Sequence, residues 1–252
     1  MTPPFLRDRL WASEHSRPQM RPRIIFFDWG GTLATRPPEV RSPEAVWVLV
    51  AHELGVADLT EDEVRSKTAT IDGTWQEKMY GYLGRSDEFW REYNTAVMDA
   101  LDIHVRREEV SRRVNEIADD PASHQLFPEV REVLDGLRAA GFRLGVISNH
   151  SERLLRIVHH MGLDRDLDPV VFSQEAGAQK PDARVFEFAL RRAGCTATEA
   201  IHVGDTFEAD YLGALRAGLR AVWLNRRGAV PPQPCESVRD LREVLGLLRS
   251  SP

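Results

Sequence analysis

Lysine is almost absent from this chain of 252 residues: only Lys67, Lys78 and Lys180 occur among its 33 basic side chains. The arginine bias reflects genome composition rather than chemistry, but it makes the placement of each lysine informative. Cysteine is equally scarce. Cys195 and Cys235 stand far apart, form no metal-type spacing, and are expected as free thiols in a reducing cytoplasm. A basic excess is missing too. The net charge is −6, with acids and bases interleaved, which excludes the clustered basic face of a nucleic-acid binder. No apolar run approaches the length of a membrane span. The first twenty residues are rich in Arg and Pro and lack the apolar block of a signal peptide. There is no internal repeat and no low-complexity tract. These absences leave a cytoplasmic protein, monomer or homodimer, with one large domain or a core domain carrying an insertion. Residues 1–20 are expected to be a flexible tail, with a short docking helix through Leu6, Leu10 and Trp11 as the alternative.

What is present is organised around Ile24–Leu33, I-I-F-F-D-W-G-G-T-L. Four apolar residues without a polar break read as a strand buried on both faces. Asp28 ends the run and two glycines follow, so the strand stops and the backbone turns. A carboxylate thus sits at the carboxyl end of a central strand, the edge at which open parallel sheets bind ligands.

A Pro-rich connector follows Thr32, and from Pro43 to about Asp120 the pattern is helical. Ser42-Pro43 reads as a helix start, and Thr60–Glu63 as a capping box. Phe89, Trp90, Tyr93, Val97, Met98 and Leu101 recur at helical spacing and are expected to form a helix–helix core. Strands and helices then alternate. Helices are expected over Glu129–Ala140, Glu152–Met161, Ala183–Ala193, Asp210–Ala217 and Ser237–Leu248. Strands are expected over Phe142–Ile147, Val170–Phe172, Ile201–Val203 and Ala221–Leu224. The fold class is therefore α/β, a doubly wound parallel sheet with an inserted helical cap. The expected division is a core of 21–36 and 126–252, with a cap of 37–125 over the ligand-binding edge.

Asp28, Ser148, Lys180 and Asp205 each follow a separate strand, so parallel strands should bring them to one rim. Two neighbouring carboxylates suit a hard divalent cation, most simply Mg²⁺, and a hydroxyl with an ammonium suits a phosphoryl group. Singly, each has a structural explanation as a turn or cap residue. Four such accidents in this order are not expected.

The stretches F-F-D-W-G-G-T-L, V-I-S-N, K-P-D and V-G-D-T-F-E-A-D, over about 23–225, resemble the four signatures of the haloacid dehalogenase-like (HAD) hydrolase superfamily. The insertion point resembles that of its first (C1) cap type. The resemblance implies a Rossmann-like core and an Asp28 nucleophile that becomes phosphorylated. It implies Mg²⁺ held by Asp28, the carbonyl of Gly30 and Asp205, with Asp210 in support. It also implies Thr32, Ser148, the Asn149 backbone N–H and Lys180 around the phosphoryl group of a small-molecule phosphate ester.

One position departs from the pattern. Family phosphatases carry a second aspartate two residues after the nucleophile, which protonates the leaving group and then activates water. Here that position is Gly30. Its carbonyl can still meet a metal, but the acid–base role is lost, at a cost of about 10²–10⁴-fold. Three readings follow. The first is a phosphohydrolase in which the cap, His150, Glu208 or water substitutes, with weak or unusual turnover. The second is a relative of the phosphonoacetaldehyde hydrolases, with Lys67 or Lys78 as a Schiff-base lysine, although the M-G-x-x-K context is absent. The third is a catalytically weak module that binds phosphate or a partner. The dehalogenase branch fits worst, because it does not need the retained G-D-x-x-x-x-D motif. The first reading is adopted, with the substrate chosen by the cap.

Overall fold

The computed structural model describes residues 22–37, 40–83, 85–118 and 120–249. The expected tail at 1–20 lies outside these residues. The first strand, β1 (Ile24–Phe27), is buried along its whole length. Its alternating side chains explain why the run has no polar break. Ile25 and Phe27 enter one core layer and Ile24 and Phe26 the other, so both faces of the strand must be apolar.

β1 lies between β4 (Arg143–Ser148) and β6 (Ala200–Gly204), parallel to both. β5 (Val170–Phe172) flanks β4, and β7 (Arg220–Leu224) and β8 (Ser237–Val238) continue the other side, giving the order β5-β4-β1-β6-β7-β8. Helices α5 (Val130–Ala139), α6 (Arg153–His160) and α10 (Arg242–Arg249) supply Leu134, Leu154 and Val244 to one layer. Helices α8 (Ala183–Ala193) and α9 (Gly213–Arg216) supply Phe186 and Ala214 to the other. The strand ends carrying Asp28, Ser148 and Asp205 therefore share one edge.

Between β1 and β4 come α1 (Pro43–Glu53), α2 (Glu61–Lys78), α3 (Ser86–Ala100) and α4 (Arg107–Ala118). Both expected starts form. The Ser42 hydroxyl accepts from Ala45 N at 3.0 Å. Thr60 N donates to Glu63 at 2.8 Å while Glu63 N donates back to Thr60 Oγ1. These helices bury their own cluster of Val46, Trp47, Val50, Val97, Met98 and Leu101. Where the chain leaves and re-enters the core, β2 (Ala34–Thr35) pairs antiparallel with β3 (Gln125–Leu126).

Four details differ from the sequence expectation. The β2–β3 ribbon falls where only a connector was expected. A short helix, α7 (Ser173–Ala176), follows β5. Ser237-Val238 does not begin the last helix; it pairs with Trp223 and Leu224 as an edge strand, and Asp240 caps the helix instead through Arg242 N at 2.8 Å. The helix expected from Asp210 begins earlier, with a π-turn over Phe207–Leu212. Asp210 Oδ2 accepts from Thr206 N there at 2.9 Å, so its carboxylate closes the turn.

The central strand should dominate stability. Phe26→Ala is expected to cost about 3–5 kcal/mol in urea unfolding. Val230→Ala, at a side chain 90% exposed, should stay within about 0.5 kcal/mol.

Candidate active site

The carboxyl ends of β1, β4 and β6 and the loop carrying Lys180 meet around a cavity of about 440 Å³. Asp28, Gly30, Ser148, Asn149, Lys180 and Asp210 line it. Lys180 Nζ lies 2.6 Å from Asp28 Oδ1 and 2.6 Å from Asp210 Oδ1. Asp28, Asp205 and Asp210 bring carboxylate oxygens within 4.8 Å of one another.

Each member is held by its neighbours. The Asn149 side chain clamps the Lys180 backbone, with Nδ2 donating to the Lys180 carbonyl at 3.0 Å and Oδ1 accepting from Lys180 N at 2.7 Å. His202, buried in β6, lies with Nε2 3.0 Å from Asp210 Oδ1. The Trp223 indole donates to the Asp205 carbonyl at 2.8 Å. Arg226 secures the loop after Asp28. It donates to the carbonyls of Gly31 and Thr32 at 3.1 and 2.9 Å, lies 2.6 Å from buried Glu129, and stacks 3.8 Å over the Phe127 ring.

The electrostatics follow from burial against these partners. Burial pushes the Asp28 carboxyl up to about 6; the Lys180 ammonium opposes that shift and the Asp210 charge adds to it. Burial works against the Lys180 ammonium too, but the charges of Asp210 and Asp28 outweigh it and hold its pKa above the ordinary lysine value. Asp210 resists burial through Lys180 and His202 and stays well below the usual carboxylate range. Asp205 is pushed up by burial and by Asp210. Burial pushes His202 down, against the hydrogen bond and charge of Asp210.

Three carboxyl groups gather around one ammonium in a confined space. A hard divalent cation fits that donor set by charge and by ligand type.

The two glycines after Asp28 differ sharply. Gly31 has φ +79°, and a Cβ there would lie 2.2 Å from Asp205 Oδ2, so the Asp205 carboxylate packs directly over it. Gly30 has no positive φ, and a Cβ would meet nothing within 4 Å. A Cβ at Gly30 would therefore stand in open space.

The other sequence candidates fall as follows. Thr32 is fully buried and is not on the cavity wall. His150 lines the cavity. Glu208 does not; it pairs with Arg216 at 2.7 Å. Lys67 lies 3.4 Å from Asp102, and Lys78 sits 4.3 Å from the Trp75 ring centre; neither lines the cavity. Cys195 and Cys235 are free thiols. No helix among the described residues is long and apolar enough to cross a membrane.

Sequence reasoning missed Asn149 as a side-chain clamp, and it missed His202, His124 and Arg226. His202 had a signal, a polar side chain inside the buried run I-H-V-G. His124 lines the cavity as well. Burial, then the charges of Arg36 and His150, push its pKa down to about 4, leaving it neutral at pH 7.

The model of the haloacid dehalogenase-like hydrolase family matches residues 22–218. The chain is 43% identical over 105 residues to a glyceraldehyde 3-phosphate phosphatase of Methanothermobacter thermautotrophicus, covering 39% of this chain and 44% of that protein. It is 33% identical over 186 residues to a phosphoserine phosphatase of Thermus thermophilus, covering 63% and 72%. The matches to the first of these relatives thus span less than half of their length. Among solved structures, a 2-haloacid dehalogenase from Pseudomonas syringae superposes with a TM-score of 0.72 at 25% identity, over 90% of this chain and 98% of that one.

The glycine pair yields a direct test by thermal and urea unfolding. Gly31→Ala should lose at least about 1–2 kcal/mol from the left-handed backbone alone, before the clash with Asp205. Gly30→Ala should be neutral or gain up to about 1 kcal/mol.

Proposed function

The chain belongs to the haloacid dehalogenase-like hydrolases, and on that footing we propose that it is a Mg²⁺-dependent phosphohydrolase of small organic phosphate esters. The observation that carries this reading is the Lys180 ammonium bridging two buried carboxylates, Asp28 at the end of β1 and Asp210 in the turn after β6. Phosphatases among the similar proteins support it.

Asp28 is the nucleophile. It is ionised at pH 7, and Lys180 fixes one of its oxygens, so the carboxylate is oriented before substrate arrives. Attack on phosphorus breaks the ester bond and leaves an Asp28 acyl phosphate, which water then hydrolyses. Lys180 offsets charge on the phosphoryl oxygens, and Ser148 and the Asn149 N–H complete their cradle. Asn149 holds Lys180 in place, and His202 and Thr206 fix Asp210 beneath it. Mg²⁺ would be held by Asp28, Asp205 and the Gly30 carbonyl, with Asp210 in support, and supplies positive charge against the phosphate. Helices α1–α4 form the cap.

The proton is the weak point, because Gly30 places no side chain at the leaving group. His150 and His124 are the imidazoles on the wall. Lys67 and Lys78 lie off the cavity wall, so a Schiff-base mechanism finds neither of its candidate lysines there. The open space at Gly30 favours one second reading, a slow enzyme whose retained site mainly binds phosphate.

Two expectations test this. Mg²⁺ should raise the melting temperature of the wild type and not of Asp205→Ala, and the shift should fade below about pH 6 as Asp28 takes up a proton. An equal shift in both proteins would contradict the site. With an aryl phosphate, phenol should be released in a burst near one equivalent, followed by a slow steady rate. Gly30→Asp should raise that steady rate toward the roughly 10²–10⁴-fold that a positioned acid–base group contributes. Equal rates on alkyl and aryl esters without a burst would mean another side chain supplies the proton.

A further inference from the structure

A second cavity, of about 700 Å³, adjoins the first between α2, α3 and the loop after β4. The two share Arg36, His124, Asn149 and His150 on their walls, so a ligand with phosphate at Asp28 would extend its other end into the larger space. The volume falls in the range of roughly 300–1,000 Å³ typical of sites that enclose ligands of drug size. A three-carbon alcohol would leave most of it unfilled.

Part of the larger cavity's wall is aromatic. Trp75, Phe89, Trp90 and Tyr93 line it together with Met79. Their rings meet mostly edge to face. Phe89 and Trp90 are 4.9 Å apart at 81°, Trp90 and Tyr93 5.5 Å at 81°, and Trp75 and Tyr93 6.0 Å at 82°. The Arg153 guanidinium lies 3.8 Å over the Trp90 ring. The hydrophobic stripe of α3 is thus divided. Val97, Met98 and Leu101 enter the helical core, whereas Phe89, Trp90 and Tyr93 line the cavity, Tyr93 packing against that core as well. Trp75, Trp90 and Tyr93 are only partly buried, whereas Phe89 is 2% exposed. Such a wall gains most from a flat π-face that can stack or meet it edge-on.

We propose that the leaving group of the substrate carries a flat unsaturated ring, seated among Trp75, Phe89, Trp90 and Tyr93 while its phosphate lies at Asp28 and Lys180. This rests on the phosphoryl-site reading above and adds the substrate class to it.

The test uses the full chain with Mg²⁺ and two non-hydrolysable probes, 2-phenylethylphosphonate and n-butylphosphonate, titrated by calorimetry. Neither probe depends on turnover. The ring probe should bind roughly tenfold tighter or more. Trp90→Ala should remove most of that preference. Ala122→Trp adds bulk at an exposed position on the cavity wall, so it tests the same space without touching the aromatic cluster, and it should also abolish the preference. Both variants should still bind inorganic phosphate. If phosphate binds and the two phosphonates bind equally, the ring proposal is overturned and the phosphoryl site stands. A ring preference that survives both variants overturns the proposed seat. If neither phosphonate nor phosphate binds, both readings fall.

Discussion

A buried ammonium between two carboxylates is the constraint on which the rest of the site depends. Lys180 is 4% exposed and Asp210 1%. Removing one partner of such a group leaves an uncompensated buried charge, typically at a cost of about 3–5 kcal/mol. The fold meets that demand with short, specific contacts. Asn149 fixes the lysine backbone, and His202 and the Thr206 N–H fix Asp210. The result is a rigid cluster of three charged groups on the wall of a small cavity. Structure and chemistry share one cause here, because the charges that would bind a cation and a phosphoryl group are those the core must hold in place.

The glycines that follow Asp28 separate two roles that their letters do not distinguish. Gly31 is required by the backbone and by the carboxylate above it. Gly30 is required by neither, since its backbone tolerates a side chain and the space above it is open. Its lack of a side chain is therefore a chemical feature of the site rather than a packing necessity. A leaving group that needs little protonation, or one held by a large wall beyond the phosphate, is compatible with that gap.

Much of the core was legible in the sequence because its signals are local. The run Ile24–Phe27 is apolar on both faces, Thr60–Glu63 encodes its own cap, and Val170–Phe172 and Ala183–Ala193 are bounded by turn and glycine signals. The four polar groups were legible because parallel strands share an edge. What escaped is long-range. Ser237-Val238 is a strand only because β7 lies beside it. Asn149 reads as a loop residue until Lys180 is placed 31 positions away. Arg226 reads as one arginine among many until it reaches the carbonyls after Asp28. The aromatic stripe of α3 has one periodicity but two destinations, and spacing alone cannot divide it.

The proposed chemistry turns on whether Asp28 carries the phosphoryl group. The most direct measurement is mass spectrometry of protein acid-quenched during turnover of an aryl phosphate with Mg²⁺, followed by peptide mapping. A phosphoryl group is expected on Asp28, accumulating toward one equivalent because its hydrolysis lacks a fixed base, and absent in Asp28→Asn. Turnover with an unmodified Asp28, or with the phosphoryl group on His124 or His150, would contradict it.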